Sequence, residues 1–292
     1  MKQQDAYKLL AVFLILTMVF SVFAYMFSGP INDTTQEQNP ETQQVKYDPQ
    51  LWEVHPPFPF DSINDALNLT PVGAEIASYA DLERMSPQMV QWTKTELPVT
   101  EVDSLYNSNT TRIYYSRIKE DKNESFLLLS TMYPEKNDFE YIVIPNTGIL
   151  RRLDTRAINI LGTPVIYAPD DRVANDVIDI ISAAASMNKT NTSYDRFAGL
   201  LDKIDPAPFQ MINSNVSYAK QFYMGIKEIN GSYERTTAYL NLNSSTLKKL
   251  DQLKANSSQN GFAQYNITKS GNYTIVRVVT PDLLKLLTEE TS

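Results

Sequence analysis

The chain of 292 residues contains no cysteine, one histidine and only nine glycines. Without cysteine it has no disulfides, no thiolate metal ligands and no thiol nucleophile. The single histidine, His55, lies in a Val-His-Pro-Pro segment, and the chain has neither an HExxH zinc motif nor a GxSxG nucleophile elbow. The glycines never form the GxGxxG or GxxxxGK[ST] patterns of phosphate-binding loops. The sequence therefore predicts no catalytic, cofactor-binding or metal-binding residue.

Positive charge is also scarce, with 26 Lys and Arg against 34 Asp and Glu and a net charge of -8. A general nucleic-acid binder needs a basic face to neutralise phosphates, so this composition argues against a nucleic-acid partner. At 42% hydrophobic and 21% charged residues, the chain has the composition of a mainly globular protein and not of a disordered tail.

One long apolar run is present, Leu9 to Phe27, and it carries no charge. As a helix rising ~1.5 Å per residue, it spans about 28 Å, close to the ~30 Å core of a bilayer. Lys2 and Lys8 precede the run, whereas residues 28–45 contain three acidic residues and no Lys or Arg. The positive-inside rule then predicts a short cytoplasmic segment at 1–8, a transmembrane signal anchor at 9–27 and an extracytoplasmic remainder.

A cleaved signal peptide is the alternative interpretation of this run. Val22 and Ala24 are acceptable small residues before a cleavage site. A secretory apolar region is usually only ~7–15 residues long, so the anchor is favoured over cleavage, and a buried core helix is the third interpretation. Both leading interpretations place the rest of the chain outside the membrane.

Asn-X-Ser/Thr motifs are the most frequent pattern in the chain. Twelve of its 22 asparagines begin one, whereas random placement of its 46 Ser and Thr predicts about 3.5. The candidates for N-glycosylation are Asn32, Asn68, Asn109, Asn123, Asn188, Asn191, Asn215, Asn230, Asn243, Asn256, Asn266 and Asn272. A turn-rich composition is the competing explanation, because Asn, Ser and Thr all favour turns. Many sequons, acidic charge and no cysteine together resemble the composition of archaeal cell-surface proteins as a class.

Two folded segments are expected after a polar stalk at residues 28–60. Strand-like runs such as RIYYSRI alternate with helical ones, which predicts an α+β fold with antiparallel sheets backed by helices. The segments 61–187 and 194–292 are expected to be related α+β subdomains, because similar sequences recur in both. Ile118-Lys119-Glu120 recurs as Ile226-Lys227-Glu228, and Gly162–Ile166 resembles Gly271–Ile275.

This recurrence predicts specific structural equivalences between the two segments. The hairpins at 112–132 and 222–242 should match, with Ile118 and Ile226 near equivalent strand ends. The strand-helix pairs at 163–187 and 272–290 should match as well. Two unrelated antiparallel hairpins, each followed by a helix, could produce a similar pattern by chance.

Asp170 and Asp171 are the only carboxylates that the sequence singles out for chemistry. They stand at a strand-to-helix junction, and two carboxylates are sufficient for glycoside hydrolysis. An Asp at this position more often caps the helix and interacts favourably with its dipole, so capping is the favoured interpretation.

The sequence therefore favours a membrane-anchored, N-glycosylated protein outside the cytoplasm that acts as a cell-surface binding or envelope-structural module. Its expected partners are the membrane, through the N-terminal helix, and proteins or glycans at the cell surface. An accessory or sensory subunit of a membrane complex and a carboxylate-dependent hydrolase remain as alternatives.

Overall fold

The computed structural model describes residues 58–120, 123–135, 139–144, 149–188 and 190–288. The predicted anchor at 9–27, the stalk up to residue 57, His55 and the sequon at Asn32 lie outside these residues. Within the described ranges, no helix has the length and apolarity needed to cross a membrane.

The described residues form a mixed α+β fold with one antiparallel sheet of twelve strands and seven α-helices. The strands are β1 (Ala74–Asp81), β2 (Asn109–Glu120), β3 (Asn123–Tyr133), β4 (Tyr141–Val143), β5 (Leu150–Arg152), β6 (Ile158–Leu161), β7 (Val165–Ala168), β8 (Phe209–Asn213), β9 (Gln221–Ile229), β10 (Ser232–Leu240), β11 (Gln264–Ser270) and β12 (Tyr273–Thr280). The helices are α1 (Ile63–Asn68), α2 (Pro87–Glu96), α3 (Val99–Tyr106), α4 (Asp171–Ala185), α5 (Ser193–Leu201), α6 (Ser244–Ala255) and α7 (Leu283–Thr288).

The sheet is covered on both faces, and this explains why its central strands are so apolar. In β3, Phe126 to Ser130 are all buried, because alternate side chains enter two different cores. We call the side containing Leu127 and Leu129 the front face and the side containing Phe126 and Leu128 the back face.

Each face is covered by its own set of helices. Apolar residues of α1, α4 and α5, including Ile63, Val177 and Phe197, join the front core. Those of α2, α3, α6 and α7, including Met89 and Leu250, join the back core. The sheet is therefore the middle layer of three.

The strand order repeats on either side of the central β1–β8 pair. The order is β1-β2-β3-β7-β6 on one side and β8-β9-β10-β12-β11 on the other, and β5 and β4 extend the first side. Tyr115 pairs with Leu128 across β2 and β3. Met224 and Thr237, each 109 residues further along the chain, pair across β9 and β10. The same offset relates the β3–β7 pairing to the β10–β12 pairing, so the two halves share strand order and register.

Two predicted features of this repeat are wrong. The sequence predicted a sheet in each half, but the strands of both halves join in one sheet through β1 and β8. Ile118 and Ile226 are not equivalent, because the register places Lys227 opposite the position of Ile118 in the repeat. Ile118 packs in the front core and Ile226 in the back core, so matching the two isoleucines reversed the faces of the strand.

The helices that follow the last strand of each half also differ, contrary to the prediction that they match. Helix α4 packs on the front face, whereas α7 places Leu283 and Leu286 in the back core. The cause is strand length: Ala168 ends β7, but its counterpart Arg277 is followed by three more residues of β12. Because successive strand residues alternate between faces, these three residues turn the end of β12 toward the back face.

Candidate functional site

A groove remains on the front face of the second half, where no helix corresponds to α4. Its volume is about 430 Å³, within the ~300–1,000 Å³ range of small-ligand sites. It lies over β10, β12 and the edge strand β11, beside the segment that follows α5. The lining residues are Lys203, Ile204, Asp205, Thr236, Lys254, Asn266, Ile267, Thr268, Ile275 and Arg277.

The polarity of the groove follows from the residues that replace the apolar core of the first half. Ile158 and Ile160 of β6 are buried on the front face, beneath α4. The strand register makes Asn266 and Thr268 of β11 their counterparts, and both are exposed. The uncovered sheet is therefore a polar surface and not an apolar face that lacks its helix.

Positive charge predominates among the groove residues, although the whole chain carries a net charge of -8. Three cations, Lys203, Lys254 and Arg277, line it with one carboxylate, Asp205. Such a local excess of positive charge favours ligands that carry hydroxyl or carboxylate groups.

An ion-pair network lies beside the groove. The Glu234 side chain is only 8% exposed, and its Oε1 lies 3.2 Å from Lys227 Nζ and 3.7 Å from Arg277 Nε. Arg277 Nη2 also lies 4.0 Å from Asp205 Oδ2. A buried carboxylate is tolerated when cations compensate it, so this network fixes Arg277 at the groove wall.

A second cavity, of about 380 Å³, lies between α1, α4 and the start of α5. Asn68, Asn188 and Tyr194 contribute to its lining. The Tyr194 hydroxyl donates a hydrogen bond to Asp202 at 2.9 Å, and burial raises the Tyr194 pKa above its ordinary value. The two carboxylates at this cavity, Asp65 and Asp195, accept hydrogen bonds from backbone amides at helix starts, which is a structural role.

The carboxylates singled out by the sequence also have structural roles. Asp170 Oδ1 accepts a hydrogen bond from the Val173 backbone N–H at 3.1 Å, which confirms the predicted cap of α4. Asp171 forms an exposed ion pair with Arg151 at 3.0 Å. Within the part of the chain that the structure describes, no three His, Cys, Asp or Glu side chains come together as a metal site would require.

A buried arginine in the first half is likewise part of the fold. Arg152 is 4% exposed, donates to Asp154 and to the Leu105 carbonyl, and stacks on the Phe139 ring with 3.7 Å from Cζ to the centroid. The hydrogen bond from Arg152 lowers the Asp154 pKa below its usual range. The bidentate and stacking contacts join α3 to the β4–β5 edge, and they leave no guanidinium face open to a ligand.

Eleven of the twelve sequon asparagines fall in the described ranges, and ten of these are exposed. The exception is Asn68, which is half-buried and donates to the Asn64 carbonyl at 3.0 Å. Asn243 is the N-cap of α6, where the sequence suggested Ser244 or Ser245. Asn266 is the third of the seven residues of β11, and among the exposed ten it alone lies in the groove lining.

Sequence reasoning identified Asn266 as a glycosylation candidate but missed the groove around it. No motif marks Lys203, Thr236 or Arg277, which come from three separate elements. One signal was present: the alternate residues Asn266, Thr268 and Ser270 of β11 are all polar. Period-two polarity on an edge strand indicates that one of its faces is uncovered.

Comparisons with known proteins add a distant similarity of fold. No protein-family model matches the chain, and no curated protein matches its sequence. Crystal form III of the treponemal protein TP0453 has a TM-score of 0.45 and 11% identity, over 79% of this chain and 98% of that one. Crystal forms I and IV each have a TM-score of 0.44, with 11% and 10% identity over 76% of this chain and 96% of theirs. Similarity at this level carries no inference about function.

Proposed function

We propose that this protein is a membrane-anchored, N-glycosylated module that acts outside the cytoplasm in binding or in the structure of the cell envelope. The apolar run Leu9 to Phe27 and the preceding Lys2 and Lys8 support an anchor with its N-terminus inside. The folded region, residues 58–288, would then stand outside the membrane beyond the polar stalk at 28–57.

The observation that carries this proposal is the exposure of the sequon asparagines. A glycan joined to Asn Nδ2 needs a surface position, and ten of the eleven described candidates have one. The fold does bury an asparagine where no sequon exists: Asn159 is fully buried and accepts a hydrogen bond from Tyr106 at 2.7 Å. The distribution supports the use of sequons as glycan sites over a composition that merely favours turns.

A binding role is supported by the state of the carboxylates near the groove. Asp205 and Glu234 both contact the Arg277 guanidinium, within 4.0 Å and 3.7 Å. A glycosidase instead needs one carboxyl group held protonated and a second one facing it across the substrate. The groove is therefore better suited to holding a polar ligand than to hydrolysing one.

We also propose that the chain arose by duplication of one α+β unit. The shared strand order and the constant offset of 109 residues in three strand pairs support this proposal. Helices α1 and α5 support it as well, because each precedes the first strand of its half and packs in the front core.

The test uses the full-length protein purified from membranes of its own cells. Intact-mass measurement and glycopeptide mapping should find glycan at several of the exposed sequons. Asn107 and Asn241 are exposed but lack the motif, so their peptides serve as internal controls and should be unmodified. Protease added to intact cells should cleave the stalk. A mass equal to that of the bare chain, or a stalk protected until lysis, would overturn the proposal.

A further inference from the structure

The groove on the front face of the second half has a glycosylation candidate within it. Asn266 lies inside β11, whereas the other nine exposed sequon asparagines of the described chain lie at the ends of elements or between them. Strand alternation places Asn266 on the same face as Thr268, and both line the groove. A glycan attached to Asn266 therefore begins at the floor of this groove and not at its rim.

The chemistry of the lining suits a saccharide. Thr236, Thr268 and Asp205 offer hydroxyl and carboxylate groups that can hydrogen-bond to sugar hydroxyls. Ile204 and Ile275 offer apolar surface to the C–H faces of a sugar ring. The three cations of the groove additionally favour sugars that bear carboxylates.

We propose that the glycan attached to Asn266 folds back into this groove and covers the sheet face that α4 covers in the first half. This inference rests on the proposed function, because it requires that sequons be glycosylated. The glycan occupies the place of the helix that the three-residue extension of β12 directs to the back face. It also shields β11, a seven-residue edge strand whose unpaired backbone groups could otherwise pair with another chain.

Four variants of the full-length glycoprotein separate the glycan from the side chain that bears it. Asn266→Gln and Thr268→Val both abolish the sequon, whereas Thr268→Ser keeps it and so preserves the glycan. Asn230→Gln removes a sequon at an exposed turn, where Gly231 has open space around it. The readout is amide hydrogen exchange of β11 and β12, with occupancy of each site confirmed by mass.

Loss of the Asn266 glycan should speed exchange in β11 and β12 by about tenfold, because local opening no longer has to displace the covering sugars. Asn266→Gln and Thr268→Val should therefore agree, while Thr268→Ser and Asn230→Gln should match the wild type. Lys203→Gln should speed exchange in the glycosylated protein but not on the Asn266→Gln background, since the lysine acts through the glycan.

The outcomes distinguish this inference from the proposed function. Glycan at other sequons but none at Asn266 overturns the inference and leaves the proposed function intact. Glycan at Asn266 with unchanged exchange in Asn266→Gln also overturns the inference alone. A chain without any glycan overturns both.

Discussion

Tyr114 and Tyr223 occupy the same register position in the two halves of the sheet, and both are buried in the front core. Tyr114 pairs with Leu129, and Tyr223 pairs with Ala238, with 109 residues separating the two members of each equivalent pair. Their surroundings differ, because Tyr114 has a hydrogen-bonding neighbour while Tyr223 lies over a glycine. The two tyrosines thus allow one position to be tested in two environments.

Replacing Tyr114 by Phe should lower the free energy of unfolding by about 1 kcal/mol, the net value of one buried hydrogen bond. The Tyr114 hydroxyl lies 2.9 Å from the Thr70 hydroxyl, which also donates to the Ala66 carbonyl at 2.7 Å. Urea unfolding measures the change. Tyr133→Phe is the control, since the Tyr133 side chain is 74% exposed and should give no measurable loss. Equal losses in the two variants would contradict the assigned hydrogen bond.

Alkaline pH should destabilise the fold through its buried tyrosines. Burial raises the pKa of Tyr114 and of Tyr167 to about 12, above the ordinary value near 10. A raised folded pKa means that this contribution is complete below about pH 10 and is lost as the pH rises through about 12. Unfolding free energies should therefore fall steadily from pH 10 upward, and the tyrosinate absorbance of these residues should appear only as the protein unfolds. Titration of every tyrosine near pH 10 in the folded protein would rule this out.

Gly225→Ala should destabilise the fold by about 1–3 kcal/mol, the usual range for overpacking a core. A Cβ at this position would stand 2.5 Å from the Tyr223 hydroxyl and 3.1 Å from Ala207 Cβ. The double variant Gly225→Ala with Tyr223→Phe should recover part of the loss, because it removes the nearest atom. Thermal or urea unfolding of the four proteins in this cycle gives the coupling. No recovery would show that the clash lies elsewhere.

Asp170→Ala should cost about 1 kcal/mol, the typical value of a helix N-cap. The carboxylate accepts the Val173 N–H at the start of the fifteen-residue α4, which covers the front face of the first half. Asp171→Ala is the matched control, because it removes only an exposed ion pair with Arg151 and should cost less than about 0.5 kcal/mol. If the control costs as much as the cap variant, the capping role is wrong.

Several elements of the fold were predictable because their side chains alternate or recur with a clear period. RIYYSRI and the apolar run of β3 predicted strands correctly, and the face of α4 was visible in Val173 and Val177. Helices α2 and α3 were missed because they are short and only weakly amphipathic. β6 was missed because it is only four residues long and buried throughout.

The repeat was visible in the sequence, but its register was not. Matching identical residues suggested an offset of 108 around Ile118, whereas the strand pairing requires 109. An error of one residue exchanges the two faces of a strand, and identity alone cannot detect it when both faces are buried. Gly162 and Gly271 gave the offset of 109 because they mark turns, where position depends on backbone geometry.

The groove could not be predicted because it depends on where a helix goes after its strand. Asp170 and Asp282 both follow a proline and both cap a helix through the amide three residues later. The two junctions therefore resemble each other in sequence while they direct their helices to opposite faces. Only the length of β12 separates them, and strand ends are the least certain part of a prediction from sequence.

The extra residues of β12 make the covering of the second half a matter of parity. Deleting one or three of them would send α7 toward the front face, whereas deleting two would leave it behind the sheet. A helix that arrived at the front would trap the polar side chains of Asn266 and Thr268 beneath it, and apolar residues there without a helix would expose a bare core. Strand length and surface polarity must therefore have changed together, because either change alone would cost stability.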